Sequence, residues 1–576
     1  MLPFVAGTAA ILRRRRAVVE QPPRHYAGYR MFTTRGHSHG HRLFLGRPPV
    51  AVSIGLLAAS AALLLATAPA REPRESPARV PAAPETGDDD SLEPRIRRFC
   101  ADCHAAPRPE SFPRDAWHDL VARGYEYYAR SGRTDLDPPP FLQTLAFFRS
   151  RAPQRLEFPP PPEAVVSPPP PWETEDVRFR HENAAVAPAT SSLRWLRLAP
   201  EGGPLLVACD MRRGGLTAVD PRGAVRAAAL LQSLGHPCHV EVCDLDGDGA
   251  SDLVVADLGS YFPADHDSGR VLWIRGRSGA SSYDVVPIAS GLGRVADARP
   301  ADVDGDGDVD LIVAEFGNDR TGGIHLLRNQ RVPLGTTRFD RELLDPRPGT
   351  IHVPILDVNA DSRPDFVALV SQESEQVDLF LNRGDGRFSR QTLWAAPDVT
   401  FAASGIEPAD VDGDGDTDLL ITNGDAFDDS YVHPSHGVQW LEQQDDLRFV
   451  HHRMADLLGA YSARAGDLDL DGDLDVVAAT WLPPQVRPAE VALERLPSLI
   501  HLEQVSPGEF TRHVLETGEP VHAALELADF DGDGDLDVAT GRHILSRRMR
   551  SGDQESPSCT IWWNRRDRSP AGQPSR

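Results

Sequence analysis

Six times along the 576-residue chain, carboxylates recur at alternate positions and once more four residues further on. The groups are Asp244, Asp246, Asp248 and Asp252; Asp302, Asp304, Asp306 and Asp310; Asp357, Asn359, Asp361 and Asp365; Asp410, Asp412, Asp414 and Asp418; Asp467, Asp469, Asp471 and Asp475; and Asp529, Asp531, Asp533 and Asp537. Side chains at positions 1, 3 and 5 of a tight loop converge on one hard cation, and a position-7 carbonyl with a position-9 carboxylate completes an all-oxygen shell. Such a shell suits Ca2+ better than Mg2+ or a softer metal. Glycine at position 6 permits the turn, and so many carboxylates repel one another unless a cation lies between them. The third group has Asn359 at position 3 and Ser362 at position 6, so it is expected to be the weakest, giving five or six calcium sites. None is an EF-hand. Position 12, where that motif needs Glu, holds Val255, Val313, Ala368, Ile421, Ala478 or Thr540, and an apolar strand rather than a helix follows position 9.

A different chemistry is written in Cys100-Ala-Asp-Cys103-His104, a C-x-x-C-H sequence. Two thiols at this spacing form thioethers to the haem vinyl groups, and the adjacent imidazole reaches the iron. A thioredoxin-like C-x-x-C would need a βαβ pattern, and zinc would need further ligands; neither surrounds it. No Met lies between residues 95 and 160, so a Met ligand cannot come from this segment. The span Ser111 to Arg130 reads as a helix, with Phe112, Trp117, Leu120, Val121 and Tyr128 near helical spacing. On it His118 is the candidate sixth ligand, ahead of Tyr125, Tyr127 and Tyr128; the alternative is a surface histidine and an iron ligated elsewhere. One haem c is expected, and the segment resembles the short single-haem cytochrome c domains of exported bacterial proteins.

The elements that must hold the acidic loops repeat with them, at intervals of 58, 55, 53, 57 and 62 residues. Each loop is followed by an apolar strand, then a second strand such as Val271-Leu-Trp273-Ile274 or Val438-Gln-Trp440-Leu441, then a turn and a strand bearing Phe339, Phe388, Phe449 or Phe510. About four short strands per unit describe a propeller blade. A seventh unit without ligands runs from Leu193 through Leu205 to Leu216, and Asp176 to His181 supplies the strand missing after Trp562. Pairing of the two chain ends then closes the ring and removes the open edges.

These loops, strands and Phe hairpins resemble FG-GAP/VCBS repeats, similar to the propeller of integrin α subunits. The resemblance implies a mainly β, seven-bladed propeller with calcium as structural glue, preceded by a small α-helical cytochrome c-like segment. It implies no particular ligand or reaction.

The resulting plan is a basic extension (1–49), a signal sequence or membrane anchor (50–70), a linker (71–93), the haem segment (94–157), a proline-rich linker (158–172), the propeller (173–566) and a tail (567–576). The apolar run Val50 to Ala68, with Arg35, Arg42 and Arg47 before it and Ala66, Ala68 and Ala70 at its end, fits both a cleaved signal and an anchor. Either exports the rest, to the periplasm or cell surface, and contact with a membrane is confined to this run. Met31 offers an alternative start. All 60 basic residues are Arg. The net charge of −25 argues against nucleic acid. It sits largely in the loops, however: setting aside their 27 aspartates leaves 58 acidic residues against those 60 arginines.

Other motifs are expected to be structural. Arg383-Gly384-Asp385 lies at a hairpin turn. His236, His239, His352 and His522 precede loops, at strand ends or facing a central funnel. Cys209, Cys238, Cys243 and Cys559 lie in neighbouring blades, where one or two disulfides are expected. The leading functional expectation is an exported haem-c electron-transfer module joined to a calcium-stabilised recognition scaffold for a protein or carbohydrate, working with a redox partner protein. The alternatives are a propeller dehydrogenase that passes electrons from a small-molecule substrate to its own haem, and a non-catalytic adhesion protein.

Overall fold

The strand that follows each acidic loop begins at the loop's position-9 aspartate: Asp252–Asp257, Asp310–Glu315, Asp365–Val370, Asp418–Asn423, Asp475–Thr480 and Asp537–Arg542. With at most one exception at its end, each is buried along its whole length, because a sheet packs on both of its faces. The computed structural model describes residues 91–102, 106–159, 172–179, 186–199, 202–223, 227–276, 283–318, 320–332, 336–372, 374–427, 429–545 and 556–565.

Among these residues the strands form seven antiparallel sheets in blade order. Blade 1 is Thr190–Leu196, Leu205–Asp210, Gly215–Val219 and Ala227–Leu231. The first strands of blades 2, 3, 5, 6 and 7 are Pro237–Cys243, Val295–Ala301, Ala403–Ala409, Ala460–Gly466 and His522–Ala528. In blade 4 the first strand is broken into Thr350–His352 and Ile355–Leu356, because Pro354 lies between them and has no N–H for the ladder. Blade 7 is completed by Trp172–Val177, which pairs antiparallel with Cys559–Asn564. The ring therefore closes by joining its two ends, as the sequence predicts. The register shifts the expected equivalence, however. Phe339, Phe388, Phe449 and Phe510 each face Asn329, Asn382, Gln443 or Gln504, and the residue facing Asn564 is Trp172 rather than Phe179.

Seven apolar clusters sit between neighbouring blades. Val207, Leu216, Val240 and Leu272 join blades 1 and 2; Val254, Val271, Leu311 and Val313 join 2 and 3. Phe366 and Ile312 join 3 and 4, and Leu379 and Leu419 join 4 and 5. Trp440 and Ile500 join 5 and 6, Val477 and Trp562 join 6 and 7, and Phe530, Leu193 and Leu206 join 7 to 1. Burying each such side chain is worth about 1.5–3 kcal/mol, so the core is distributed around a ring with no single centre.

Ahead of the propeller come helices α1 (Leu92–Cys100), α2 (Trp117–Ser131) and α3 (Phe141–Arg151). Ile96, Trp117, Val121, Phe147 and Phe148 form their core. The helix expected from Ser111 begins at Trp117 instead. Phe112 precedes Pro113 and is extended (φ −132°, ψ 152°), because a residue before proline is pushed out of the helical region. Phe112 is thereby turned toward blade 5, where it meets the rings of Tyr431 (5.2 Å) and His433 (5.0 Å) edge-on, while the Ser111 hydroxyl donates to Asp398.

Among the described residues no helix is long and apolar enough to cross a membrane. The run 50–70 lies outside them.

Candidate metal loops and the groups around them

In each loop the backbone folds onto the last carboxylate, and in those of blades 2, 3, 4, 5 and 7 onto the first as well. The position-6 N–H donates to position 1, as from Gly249 to Asp244 (2.9 Å), Gly307 to Asp302 (3.0 Å), Gly415 to Asp410 (3.1 Å) and Gly534 to Asp529 (3.0 Å). Left-handed φ is needed at position 4 as well as 6: Gly247 (68°), Gly305 (76°), Gly413 (74°) and Gly532 (83°) supply it. Where glycine is lacking, Ala360 (55°), Ser362 (65°) and Leu470 (60°) take the same conformation against their own side chains.

The position-9 aspartates are fully buried. One oxygen accepts the position-2 N–H, as from Leu245 to Asp252 (3.0 Å) and Phe530 to Asp537 (3.0 Å). The other accepts an N–H from the third strand, as from Asn329 to Asp310 (2.7 Å) and Gln504 to Asp475 (2.9 Å). Burial pushes Asp310 and Asp418 up to about 6 and Asp537 up to about 7; these N–H groups partly offset the rise, and neighbouring loop aspartates add to it.

Three carboxylate oxygens lie within 4.8 Å of one another in five loops: Asp244, Asp246 and Asp248; Asp302, Asp304 and Asp306; Asp410, Asp412 and Asp418; Asp467, Asp469 and Asp471; Asp529, Asp531 and Asp537. The loop of blade 4 differs. Asn359 donates to Asp361 (2.9 Å), and the Arg363 guanidinium pairs with the same carboxylate. The chain's own cation therefore sits on the ligand set expected to be weakest.

Two sets of residues went unnoticed in the sequence. Asn329, Asn382, Gln443, Gln504 and Asn564 stand in one register toward the ends of the third strands, and each side-chain amide donates to the position-2 carbonyl of the preceding blade's loop: Leu245 (3.0 Å), Val303 (2.8 Å), Val358 (3.3 Å), Val411 (2.9 Å) and Leu468 (2.9 Å). Each amide ties one blade to its neighbour's loop. Their recurrence in the loops' own register was the available signal. The second set stands on the first strands three residues before the loop, at Glu241, Arg299, Glu407, Arg464 and Glu526, with Arg194 at the matching place in blade 1 and Pro354 in the break of blade 4's first strand. Basic and acidic residues alternate, and pairs form between Arg194 and Glu241 (3.1 Å), Arg299 and Glu241 (2.5 Å), Arg464 and Glu407 (3.3 Å), and Arg464 and Glu526 (3.9 Å). Burial opposes ionisation of Glu241, but Arg299, His239 and Arg194 outweigh it and hold its carboxyl at about 2.

The histidines that precede the loops are all engaged. His236 bonds the Met211 carbonyl (2.7 Å), His239 meets Glu241 (2.8 Å) and Asp297 (3.4 Å), His352 lies 3.7 Å from Asp297, and His522 meets Glu516 (2.5 Å). Arg299 spans Glu241 and Asp297, so a guanidinium occupies the place between them. The RGD carboxylate is held by Arg387 (2.6 Å), as its turn position implies. The disulfide expectation is not met: Cys209, Cys238, Cys243 and Cys559 are all free thiols. Cys209 and Cys559 lie in separate blade-interface cores, and Cys238 points at the Val295 and Ala296 carbonyls (3.3 Å each).

In the helical segment, Cys100 is the last residue of α1, packed beside Leu120 and Tyr125, and burial pushes its thiol up to about 11. Phe99 faces Tyr125 (4.9 Å) and Tyr128 (5.4 Å). Cys103 and His104 lie outside the described residues. His118 is exposed and bonded to Asp119 (3.0 Å), and its ring meets Phe141 at 6.0 Å.

A family model described as FG-GAP-like repeat matches residues 244–313 and 357–421. No curated protein matches the chain. Among solved structures, an ancestral GH74 enzyme is similar at 10% identity and a TM-score of 0.43, covering 67% of this chain and 49% of that one. This chain thus spans about half of that enzyme's length. The V. cholerae biofilm matrix protein Bap1 is similar at 10% identity and a TM-score of 0.37, covering 69% and 92%. The chain carries FG-GAP-like repeats in a seven-bladed β-propeller.

Proposed function

We propose that the chain is an exported, calcium-stabilised recognition scaffold for a protein or carbohydrate, carrying a haem-c segment that exchanges electrons with a redox partner. The observation that carries the calcium reading is the convergence of three carboxylate oxygens in each of five loops. Asp304 Oδ1, Asp410 Oδ1 and Asp467 Oδ1 are moreover buried with no donor within reach, as ligand oxygens awaiting a cation would be. A divalent ion there would tie the end of a first strand to the start of a second, at the seam where the amides join neighbouring blades. Millimolar calcium outside the cell suits such loops.

The haem would be held by Cys100, Cys103 and His104, and once attached it supplies one-electron chemistry. Supporting this is a cysteine at the end of a helix, beside an aromatic wall of Phe99, Tyr125 and Tyr128. The docking of Phe112 on blade 5 would then hold the redox group against the propeller.

The test is elemental analysis and a melting curve of the purified full chain, with and without chelator. About five calcium ions per chain are expected, and chelation should lower Tm by about 10 °C or more. An unchanged Tm with no bound calcium refutes the reading. Haem staining after denaturation checks the C-x-x-C-H sequence separately, and reduction of that haem by a small-molecule substrate would favour a dehydrogenase over a scaffold.

A further inference from the structure

Apolar residues of the third strands stand in one register around the ring: Ile274 faces Leu253, Leu327 faces Leu311, Phe380 faces Phe366, Leu441 faces Leu419, Leu502 faces Val476 and Trp562 faces Val538. The next residue along is therefore placed alike in every blade, beside the loop. It is Arg275 in blade 2, Arg328 in blade 3, Leu381 in blade 4, Glu442 in blade 5, Glu503 in blade 6 and Trp563 in blade 7. The charge at this place differs in sign from loop to loop.

In blade 2 Arg275 pairs with Asp246, the position-3 ligand, and in blade 3 Arg328 pairs with Asp304 at the same position (3.2 Å). Blade 7 reaches the same result from two residues further on. There Arg565 pairs with Asp531 (2.7 Å), although it also shares Glu173 (3.1 Å). In blades 5 and 6 the place is acidic: Glu442 and Glu503 stand where blades 2 and 3 have Arg275 and Arg328, and Glu503 is bonded to His513 (2.6 Å). Glu442 is bonded to His452 (2.6 Å) rather than to an arginine, and none of the described arginines pairs with the blade 5 loop.

We infer that the loops are graded in calcium affinity by the third-strand residue that stands beside the loop, with blades 5 and 6, where it is Glu442 and Glu503, the tightest sites and the arginine-bearing loops of blades 2, 3 and 7 weaker. The inference rests on the calcium reading above. A guanidinium on a ligand carboxylate must move aside or share that oxygen when the ion arrives, and it repels the ion either way; a carboxylate at the same place attracts it. The pairs are only partly exposed, with Arg328 and Asp304 side chains at 20% and 24%, so solvent screens the effect without abolishing it. In blade 4 the screening is carried further, since Arg363 lies within the loop itself. That loop should take up calcium last.

The test is a calcium titration of the demetallated full chain by calorimetry, with the variants Arg328→Gln, Glu442→Gln and Asp412→Asn. Wild type should show at least two affinity classes separated about tenfold. Asp412→Asn should remove a tight equivalent, Glu442→Gln should weaken one, and Arg328→Gln should tighten one of the weaker class by about five- to tenfold. Arg275→Gln provides the same test in blade 2 should the blade 3 variant not fold, as judged by its melting curve in excess calcium. Binding of five equivalents with one common affinity, or an unmoved titration in the arginine variants, overturns the grading and leaves the calcium reading intact. Binding of no calcium at all overturns both.

Discussion

At the scale of single residues, the converging aspartates were legible because an acidic loop is a local object whose spacing is its geometry. The groups that set their environment were not, because each acts across strands distant in sequence. Asn329 reaches Leu245 over 84 residues, and Arg328 reaches Asp304 only once its strand is in register. Glu375 belongs to the same hidden class. It is buried, accepts the Ala403 N–H (2.9 Å) and lies near Asp425. Burial pushes its carboxyl up to about 8, Asp425 adds to the rise, and the surrounding N–H groups partly offset it. The folded value exceeds that of an unfolded glutamate, about 4.3, so the fold prefers the protonated form. The associated stability is complete below pH about 4 and is lost as pH rises toward 8. Glu375→Gln should therefore flatten this part of the pH profile and melt higher than wild type at pH 8. Denaturant midpoints at pH 5, 6.5 and 8 decide it: equal losses in both proteins would show that Glu375 is not the group responsible.

At the scale of elements, the blades could be read from the sequence because the loop, the buried strand and the Phe strand repeat together. The first strand of blade 4 could not, since its break depends on one proline, and the start of α2 was misplaced by another, Pro113. That second displacement has an energetic consequence. Phe112 was expected within the helix and instead lies before it, packed against Tyr431, His433 and Trp117 (5.7 Å). It joins the helical core to the propeller. Phe112→Ala should cost about 3–5 kcal/mol of packing, shared between that core and its seat on blade 5. The expected result is faster cleavage in the linker 160–171 with the propeller's own melting temperature held within a few degrees. Unaltered cleavage would place the attachment elsewhere.

At the scale of the whole molecule, the seven interface clusters make a ring that closes where Trp172–Val177 joins Cys559–Asn564, with Val177 and Phe179 in the cluster that joins blade 7 to blade 1. Val177→Asp should lower the melting temperature of the propeller as one cooperative unit, measured by calorimetry. An early, separate transition of blade 7 alone would contradict it. Ring closure was legible because the missing strand left an arithmetic gap, while the exact partner, Trp172 in place of Phe179, needed the register. The same closure has a mechanical side. The helical segment is fastened to the propeller at blade 5 and, along the chain, through the strand that closes the ring, so once Phe112 lets go a pull on that segment loads six paired residues before any other sheet. The ladder there is the molecule's clasp under tension, and calcium in the neighbouring Asp529 loop would stiffen the sheet against which it is fastened.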